Sequence, residues 1–586
     1  MIEKLLETIG IERVDDIPLL WEQLKDMRVI RLFDKHFPQH PNWEGSLSPG
    51  EVIACWLCCI LSCGNHRVSH VQKWAEQRLQ MLEALTGKQV RALDFSDDRL
   101  AGLLAQMGDR AAWQPFEREL SSGLLRVYDL SVGTVRLDAT TAKTYAGVSE
   151  GGLFQFGHSK DHRPDLAQVK ISMATLDPLG LTVSTCVVAG NSADDPLYEP
   201  EITRVRETTG RRGLLYVGDK KMAALELRAF IGGGGDYYLC PLGLKQFSES
   251  EGEVLIEEFF ARQHEAQIVI RPETDEPIGV GFEITVVRTA TFSGGYRTTW
   301  MERILAFSSF ERATSEAKKL NEAIERARDE LLKLNERKQG KRCLDGAQTA
   351  QACAQIVKRY HLEGIVNFSV ETKVVHREVR AWRDRPARTE SEDQQEVKVS
   401  LEEEALRKRR QELGWSFYAT NHHRDRLPLG KAILAYRGQY TIEQGFGRFK
   451  GRRLGLLPLF LKLDLHVAGL IHLLAIGLRL MCLTQYVVRR SLAQAKVESE
   501  RQIKGLYAGQ SSRATTRPTT ELMLDAFEGV NLIIGKNEKG QTVAGLTPLN
   551  ELQKRILDLL GFSQEIYLRL VTHFQNLAPE LAKRKL

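Results

Sequence analysis

The sequence predicts a mixed α/β core, interrupted by a large β/helical insertion and flanked by helical N- and C-terminal regions. Three observations carry this. Between residues 133 and 241, short β-prone runs alternate with helical ones in the order three strands, helix, strand, helix, strand. That order breaks near residue 242 and resumes near 413. The flanks show helical rather than two-residue periodicity. At 586 residues the chain also exceeds a single core, which stops growing near about 250–300 residues.

The N-terminal region, 1–128, contains Gly50 to Leu61, apolar on nearly all sides as in a buried helix. Asp109 to Tyr128 reads as an amphipathic helix. The first part of the core, 129–241, opens with the strand Gly133 to Thr141. Gln168 to Leu176 and Leu181 to Val188 form a hairpin over Asp177-Pro-Leu-Gly180, where Pro and Gly signal a tight turn. A helix from about Pro196 to Thr208, a strand Gly213 to Asp219, a helix Met222 to Ile231 and a strand Asp236 to Pro241 follow.

The insertion, 242–412, begins with a long hairpin, Val280 to Ala290 and Arg297 to Phe307, around Gly294-Gly295. Next comes a helical arm with Ala313, Ala317, Leu320, Ile324, Ala327, Leu331 and Leu334 in heptad spacing. It is expected to pair within the chain with Leu344 to Tyr360. Glu390 to Glu404 is acidic and poor in apolar residues, and reads as a solvated linker. The core resumes over 413–492 with the strand Trp415 to Thr420, a helix Lys431 to Arg453 and an apolar stretch, Leu454 to Val488. The C-terminal region, 493–586, reads as helical from about Ser511 and ends in a basic Lys583-Arg-Lys tail.

Bulk properties exclude several classes. The composition, 42% hydrophobic and 27% charged, excludes a wholly disordered chain. Net charge is only +5, so any nucleic-acid contact must come from local clusters. Lys462, Asp464, His466, His472 and Arg479 interrupt the apolar stretch, which predicts one or two buried helices rather than a membrane span. The first residues lack a basic-then-apolar leader pattern, and nine cysteines, an odd number, suit a reducing cytoplasm.

Three carboxylates stand out. Asp138 lies inside a β-prone run, where aspartate is depleted; an exposed turn-capping role would also explain it. Asp219 ends an apolar strand just before a helix, the place where ligand sites gather in open α/β sheets; an ordinary helix N-cap fits equally. Glu443 shares a predicted helix face with Tyr436, Gln439 or Tyr440, Gly447 and Lys450, flanked by Arg448, Arg452 and Arg453. Aromatic residues interleaved with charge argue against a merely solvated face. Two strand aspartates and one helix glutamate supply the hard oxygens that Mg²⁺ or Mn²⁺ takes in two-metal phosphodiester chemistry.

At these residues the sequence resembles bacterial insertion-sequence transposases of the DDE type, which have a ribonuclease-H-like fold. Arg136-Leu-Asp-Ala-Thr-Thr141 is similar to their first-aspartate strand, and Tyr216-Val-Gly-Asp219 to the second. Gly157-His-Ser-Lys-Asp-His-Arg-Pro-Asp-Leu-Ala-Gln168 resembles a run in one branch of the family, and Gly190-Asn-Ser-Ala-Asp-Asp195 resembles the segment after the hairpin. The third signature of the family is Tyr, Arg, Glu and Lys at fixed spacing. Tyr436, Glu443 and Lys450 match it in register; Gln439 stands where the arginine is expected.

The resemblance implies that Asp138, Asp219 and Glu443 are catalytic and hold two Mg²⁺ or Mn²⁺ ions. It implies cleavage of transposon ends at terminal inverted repeats and joining to target DNA, with double-stranded DNA as partner and a homodimer in the synaptic complex. The N-terminal helical domain would bind the transposon ends. Tyr436, Lys450, Arg448, Arg452, Arg453, Lys160, Arg163 and Trp300 are the expected DNA contacts. A DNA-binding descendant that no longer cuts, and a nuclease of the same fold, are the alternatives.

Three other features have structural readings as well. His158 to Arg163 is either a DNA-facing loop or a turn held by Arg–Asp pairs. Trp300 either stacks on a base or fills the hairpin core. Cys55, Cys58, Cys59 and Cys63, with His66, invite a zinc reading, but their helical spacing and apolar neighbours favour buried structural thiols. Zinc ligands usually also need a fold-back of the chain.

Overall fold

The computed structural model describes residues 7–158, 163–243, 265–336, 344–381, 386–536 and 542–583, with a few positions between 254 and 261. The chain forms two compact units. Met1–Cys240, Thr289–Trp300 and Ala435–Leu586 make the first; Pro241–Arg288 and Met301–Leu434 make the second.

The first unit opens with β1 (Glu7–Arg13) and seven helices: α1 (Ile17–Asp26), α2 (Val29–His36), α3 (Pro49–Cys63), α4 (Val68–Glu76), α5 (Leu79–Thr86), α6 (Asp97–Gly108) and α7 (Arg110–Val127). The local sequence sets the ends of α3. The Ser48 hydroxyl accepts from the Glu51 N–H at 3.2 Å while the Glu51 carboxylate accepts from the Ser48 N–H at 2.7 Å. Gly64 ends the helix at φ +64°, a left-handed conformation that costs glycine no Cβ clash. Val52 to Leu61 are fully buried, as their unbroken apolarity requires.

The core strands are β2 (Thr134–Thr144), β3 (Ala167–Leu176), β4 (Leu181–Ala189), β5 (Leu215–Val217) and β6 (Tyr237–Leu242), in the order β4-β3-β2-β5-β6. β3 runs antiparallel to both its neighbours, whereas β2, β5 and β6 are parallel. Parallel neighbours need crossovers, and α8 (Asp195–Thr209) and α9 (Leu225–Gly233) provide them.

β7 (Gln267–Arg271), β8 (Glu276–Phe292) and β9 (Tyr296–Ser309), which lie in the second unit except for the hairpin tip Thr289–Trp300, precede α10 (Phe310–Leu332) and α11 (Gly346–Arg359). β10 (Val366–Val379), β11 (Arg388–Leu401), α12 (Glu403–Gln411) and β12 (Trp415–Thr420) follow, with β12-β9-β8-β7 adjacent in that order. α10 packs on α11 through Ile324, Ala327, Leu331, Cys353, Ile356 and Val357, so the heptad seam closes within the chain. The expected linker at Glu390 to Glu404 is instead mostly β11, paired residue for residue with β10. Opposite charges across the ribbon explain how so acidic a run forms a strand: Lys398 pairs with Glu371 at 2.6 Å and Lys373 with Glu396 at 2.5 Å.

The chain re-enters the first unit through α13 (Leu429–Arg437) and continues with α14 (Tyr440–Lys450) and α15 (Asp464–Gln494). The single helix expected over Lys431 to Arg453 is therefore two, broken at Gly438-Gln439. Beyond α15 lie β13 (Ile503–Lys504), β14 (Ala514–Thr515), α16 (Thr520–Asp525), β15 (Asn531–Lys536), β16 (Thr542–Leu546), α17 (Glu551–Leu560) and α18 (Glu565–Lys583). The terminal regions are thus not wholly helical: β1 pairs antiparallel with β15, and β15 with β16.

α15 is long and apolar enough to cross a membrane, yet its most apolar window is 100% buried within the fold. Its polar residues have partners there. Arg479 pairs with buried Glu117, whose second oxygen accepts from the Thr185 N–H at 3.1 Å. The His472 Nδ1–H donates to the Met107 carbonyl at 2.8 Å, and the ring stacks on Trp113 at 4.2 Å. Burial pushes the His472 pKa down to about 3, so the ring is neutral.

Candidate active site

The parallel register of β2 and β5 matches Thr134 with Leu215, Val135 with Tyr216 and Arg136 with Val217. Two residues further along each strand stand Asp138 and Asp219. Asp219 remains in extended backbone, φ −79° and ψ −172°. Carried two residues past its last pair, this register puts Asp138 level with Asp219 just beyond the end of β5, and both carboxylates act electrostatically on Tyr198. Both are half-buried.

Hydrogen bonds fix both carboxylates. Asp138 Oδ1 accepts from the Ala139 N–H at 2.7 Å. Asp219 Oδ1 accepts from the Lys221 N–H at 2.8 Å, so it does cap the short turn Lys220–Ala223. The same oxygen accepts from the Tyr198 hydroxyl at 2.6 Å. Burial, then Asp219, then Asp138 hold the Tyr198 phenol well above its ordinary pKa, which keeps it a neutral donor. Sequence reasoning missed Tyr198. Its signal was a phenol three residues after Asp195, in the first turn of the helix that follows the Gly190–Asp195 motif.

Glu443 is exposed in the first turn of α14, which packs against β2. Arg136 of β2 anchors this junction. Its buried guanidinium bonds Asp177 at 2.6 Å, the Ala435 carbonyl at 2.8 Å and the Gln439 Oε1 at 3.4 Å. That accounts for Gln439: an arginine there would press a second guanidinium on Arg136. Because the helix breaks at Gly438, Tyr436 sits on α13 rather than on one continuous face with Glu443 and Lys450. Tyr436 and Lys450 are half-buried. Among the described residues, the three carboxylates do not form a set with all donor atoms within 4.8 Å of one another.

The remaining expected contacts separate into groups. Arg448 pairs with Glu521 at 3.0 Å, and Arg453 with Asp16 at 3.5 Å and with Asp525. Arg452 is exposed beside them, on the wall of a cavity of about 850 Å³ that Arg489 also lines. Arg163 is exposed and paired with Asp165 at 2.7 Å. Lys160, Asp161 and His162 lie outside the described residues. The Trp300 indole N–H donates to the Tyr238 hydroxyl at 2.7 Å, which fixes the ring against β6.

The two motifs flanking the hairpin are joined by Gln168. Its backbone exchanges hydrogen bonds with Gln155 at 3.0 and 3.1 Å, and its side chain donates to the His158 and Gly190 carbonyls, each at 3.0 Å. Nearby, Lys170 pairs with Asp194 at 2.7 Å. These bonds hold the loop before β3 to the loop before α8, the helix that carries Tyr198.

Residues 9–117 match a family model described as a domain of unknown function, DUF4277. No curated protein matches the chain. Among solved structures, the chain is similar to the piggyBac transposase in its synaptic complex with hairpin DNA, at 10% sequence identity and a TM-score of 0.24. That match covers 50% of this chain and 62% of the other, so it spans less than two thirds of the transposase.

Proposed function

We propose that the chain is a DDE-type DNA transposase with a ribonuclease-H-like core, of the bacterial insertion-sequence kind. It would cleave the ends of a mobile element at terminal inverted repeats and join the 3′ ends to target DNA. The observation that carries this reading is the β2–β5 register, which sets Asp138 beside Asp219, with Glu443 on a helix packed against the same strand. The strand order β4-β3-β2-β5-β6, with β3 antiparallel, supports the fold assignment.

The donor set suits hard divalent ions: three carboxylates, none wholly buried, offering oxygen only. Asp138, Asp219 and Glu443 would hold two Mg²⁺ or Mn²⁺ ions. When bound, such ions activate the attacking oxygen and stabilise the leaving one. The rest falls to the chain. Tyr198 and the Lys221 N–H orient the Asp219 carboxylate. Arg136 fixes the start of α14 and hence Glu443. Lys450, Tyr436 and Arg452 would grip the DNA backbone, with Lys160, Arg163 and Trp300 as further contacts. Arg448 and Arg453 would serve DNA only by exchanging their carboxylate partners for phosphates. The two ends would be processed by a homodimer.

The test uses DNA carrying the terminal repeats, the full chain and Mg²⁺. Wild type is expected to cleave and join; Asp138→Ala and Glu443→Ala are expected to bind the same DNA and leave it intact. Undiminished cleavage by either variant refutes the assignment. Salt-sensitive binding by wild type, with no cleavage in Mg²⁺ or Mn²⁺, would identify a binding protein instead.

A further inference from the structure

α3 and α4 meet at an angle of 94° across Gly64 to Arg67. This turn is the fold-back that the cysteine spacing alone did not reveal. It brings His70, in the first turn of α4, over Cys59 and Cys63, which lie one helical turn apart at the end of α3. The two sulfurs and a ring nitrogen of His70 all lie within 4.8 Å of one another. Cys63 is hydrogen-bonded to both Cys59 and His70.

Only two of the five residues grouped by sequence belong to this set. Cys55 and Cys58 are fully buried on the apolar side of α3. His66 is buried, bonded to the Gly455 backbone and beside Phe460. His70 replaces it.

We infer that Cys59, Cys63 and His70 form a zinc site that fastens α3 to α4. The donor chemistry selects the ion: two thiolates and an imidazole are soft and borderline ligands, which suit Zn²⁺ and not Mg²⁺. A span within 4.8 Å is compatible with zinc, since tetrahedral ligation sets two sulfurs about 3.8 Å apart. Two thiolates would neutralise the charge of the ion, and Arg78, which acts electrostatically on both cysteines, favours their thiolate form. Cys59 is buried, His70 half-buried and Cys63 exposed. Cys63 also lines the 850 Å³ cavity with Ser62 and Gly64. Water can therefore reach the ligand set from that side. This site is independent of the three carboxylates, and its test does not involve DNA.

The test uses the full chain without a histidine tag. Zinc analysis is expected to give about one ion per chain. Substitution with Co²⁺ is expected to give sulfur-to-cobalt charge transfer in the near ultraviolet and visible bands of a tetrahedral ion. Cys63→Ser and His70→Gln should each weaken binding by at least about tenfold, in line with loss of a ligand. Cys353→Ala, in the separate α10–α11 cluster, should leave both signals unchanged. Cys63 and His70 are accessible, so the folded state of each variant can be checked by circular dichroism, and either one alone is sufficient. Absence of zinc with no thiolate band overturns the inference, as does wild-type cobalt binding by a folded Cys63→Ser or His70→Gln.

Discussion

At the scale of single residues, the proposed site would depend on groups that orient the carboxylates as much as on the carboxylates themselves. Tyr198→Phe removes the hydroxyl that donates to Asp219 and leaves the ring. Metal-dependent cleavage is expected to fall about 10–100-fold with little change in melting temperature; full activity would show that Asp219 needs no such support. Gln439→Arg completes the signature that the sequence resembles, yet should destabilise the chain by about 1–3 kcal/mol in urea unfolding, because it sets a guanidinium against buried Arg136. His472 adds a pH dependence. The fold holds its pKa near 3 against an ordinary 6.5, so the unfolded chain takes up the proton first. The stability it contributes is complete above pH 6.5. It is lost at up to about 1.4 kcal/mol per pH unit as pH falls from 6.5 towards 3. A folded His472→Gln variant should show a shallower acid loss of the urea midpoint over that window.

At the scale of elements, what was legible depended on where a segment finds its partner. β2, β3, β4 and β5 were legible because buried strands read as short apolar runs bounded by turn residues. β11 was not, because its alternation is polar and its stabilisation lies in charges on β10. β1 was not, because its partner β15 is over 500 residues away in sequence. The break before α14 was only hinted at by Gly438, whose added Cβ would lie 2.3 Å from the Arg136 guanidinium. Helix packing gives a sharper test. A Cβ at Gly469 of α15 would lie 2.0 Å from the Leu104 carbonyl of α6. Gly469→Ala should therefore cost about 1–3 kcal/mol. Gly445→Ala in α14, where a Cβ meets nothing within 4 Å, should be neutral or stabilising by up to about 1 kcal/mol. Equal effects in urea melts would show that the α6–α15 approach is not tight.

At the scale of the whole molecule, near-balanced charge turns the proposed DNA binding into a question of which cations lack a structural task. Arg448, Arg453 and Arg163 are held in ion pairs, whereas Arg452 is exposed. Arg452→Ala should lower the slope of log affinity against log salt by about 0.9; Arg163→Ala should change it less. Equal slopes for both would remove the distinction. The sequence by itself determined the mixed α/β alternation and singled out three candidate carboxylates, because short-range periodicity and residue chemistry are local properties. Only the tertiary structure decided that Asp138 and Asp219 are neighbours, that Tyr198 serves one of them, that Arg136 accounts for Gln439, and that His70 rather than His66 meets Cys59 and Cys63. Each of these is a contact between segments far apart in the chain or across a bend. Such contacts are set by strand register and helix packing, which local pattern does not encode.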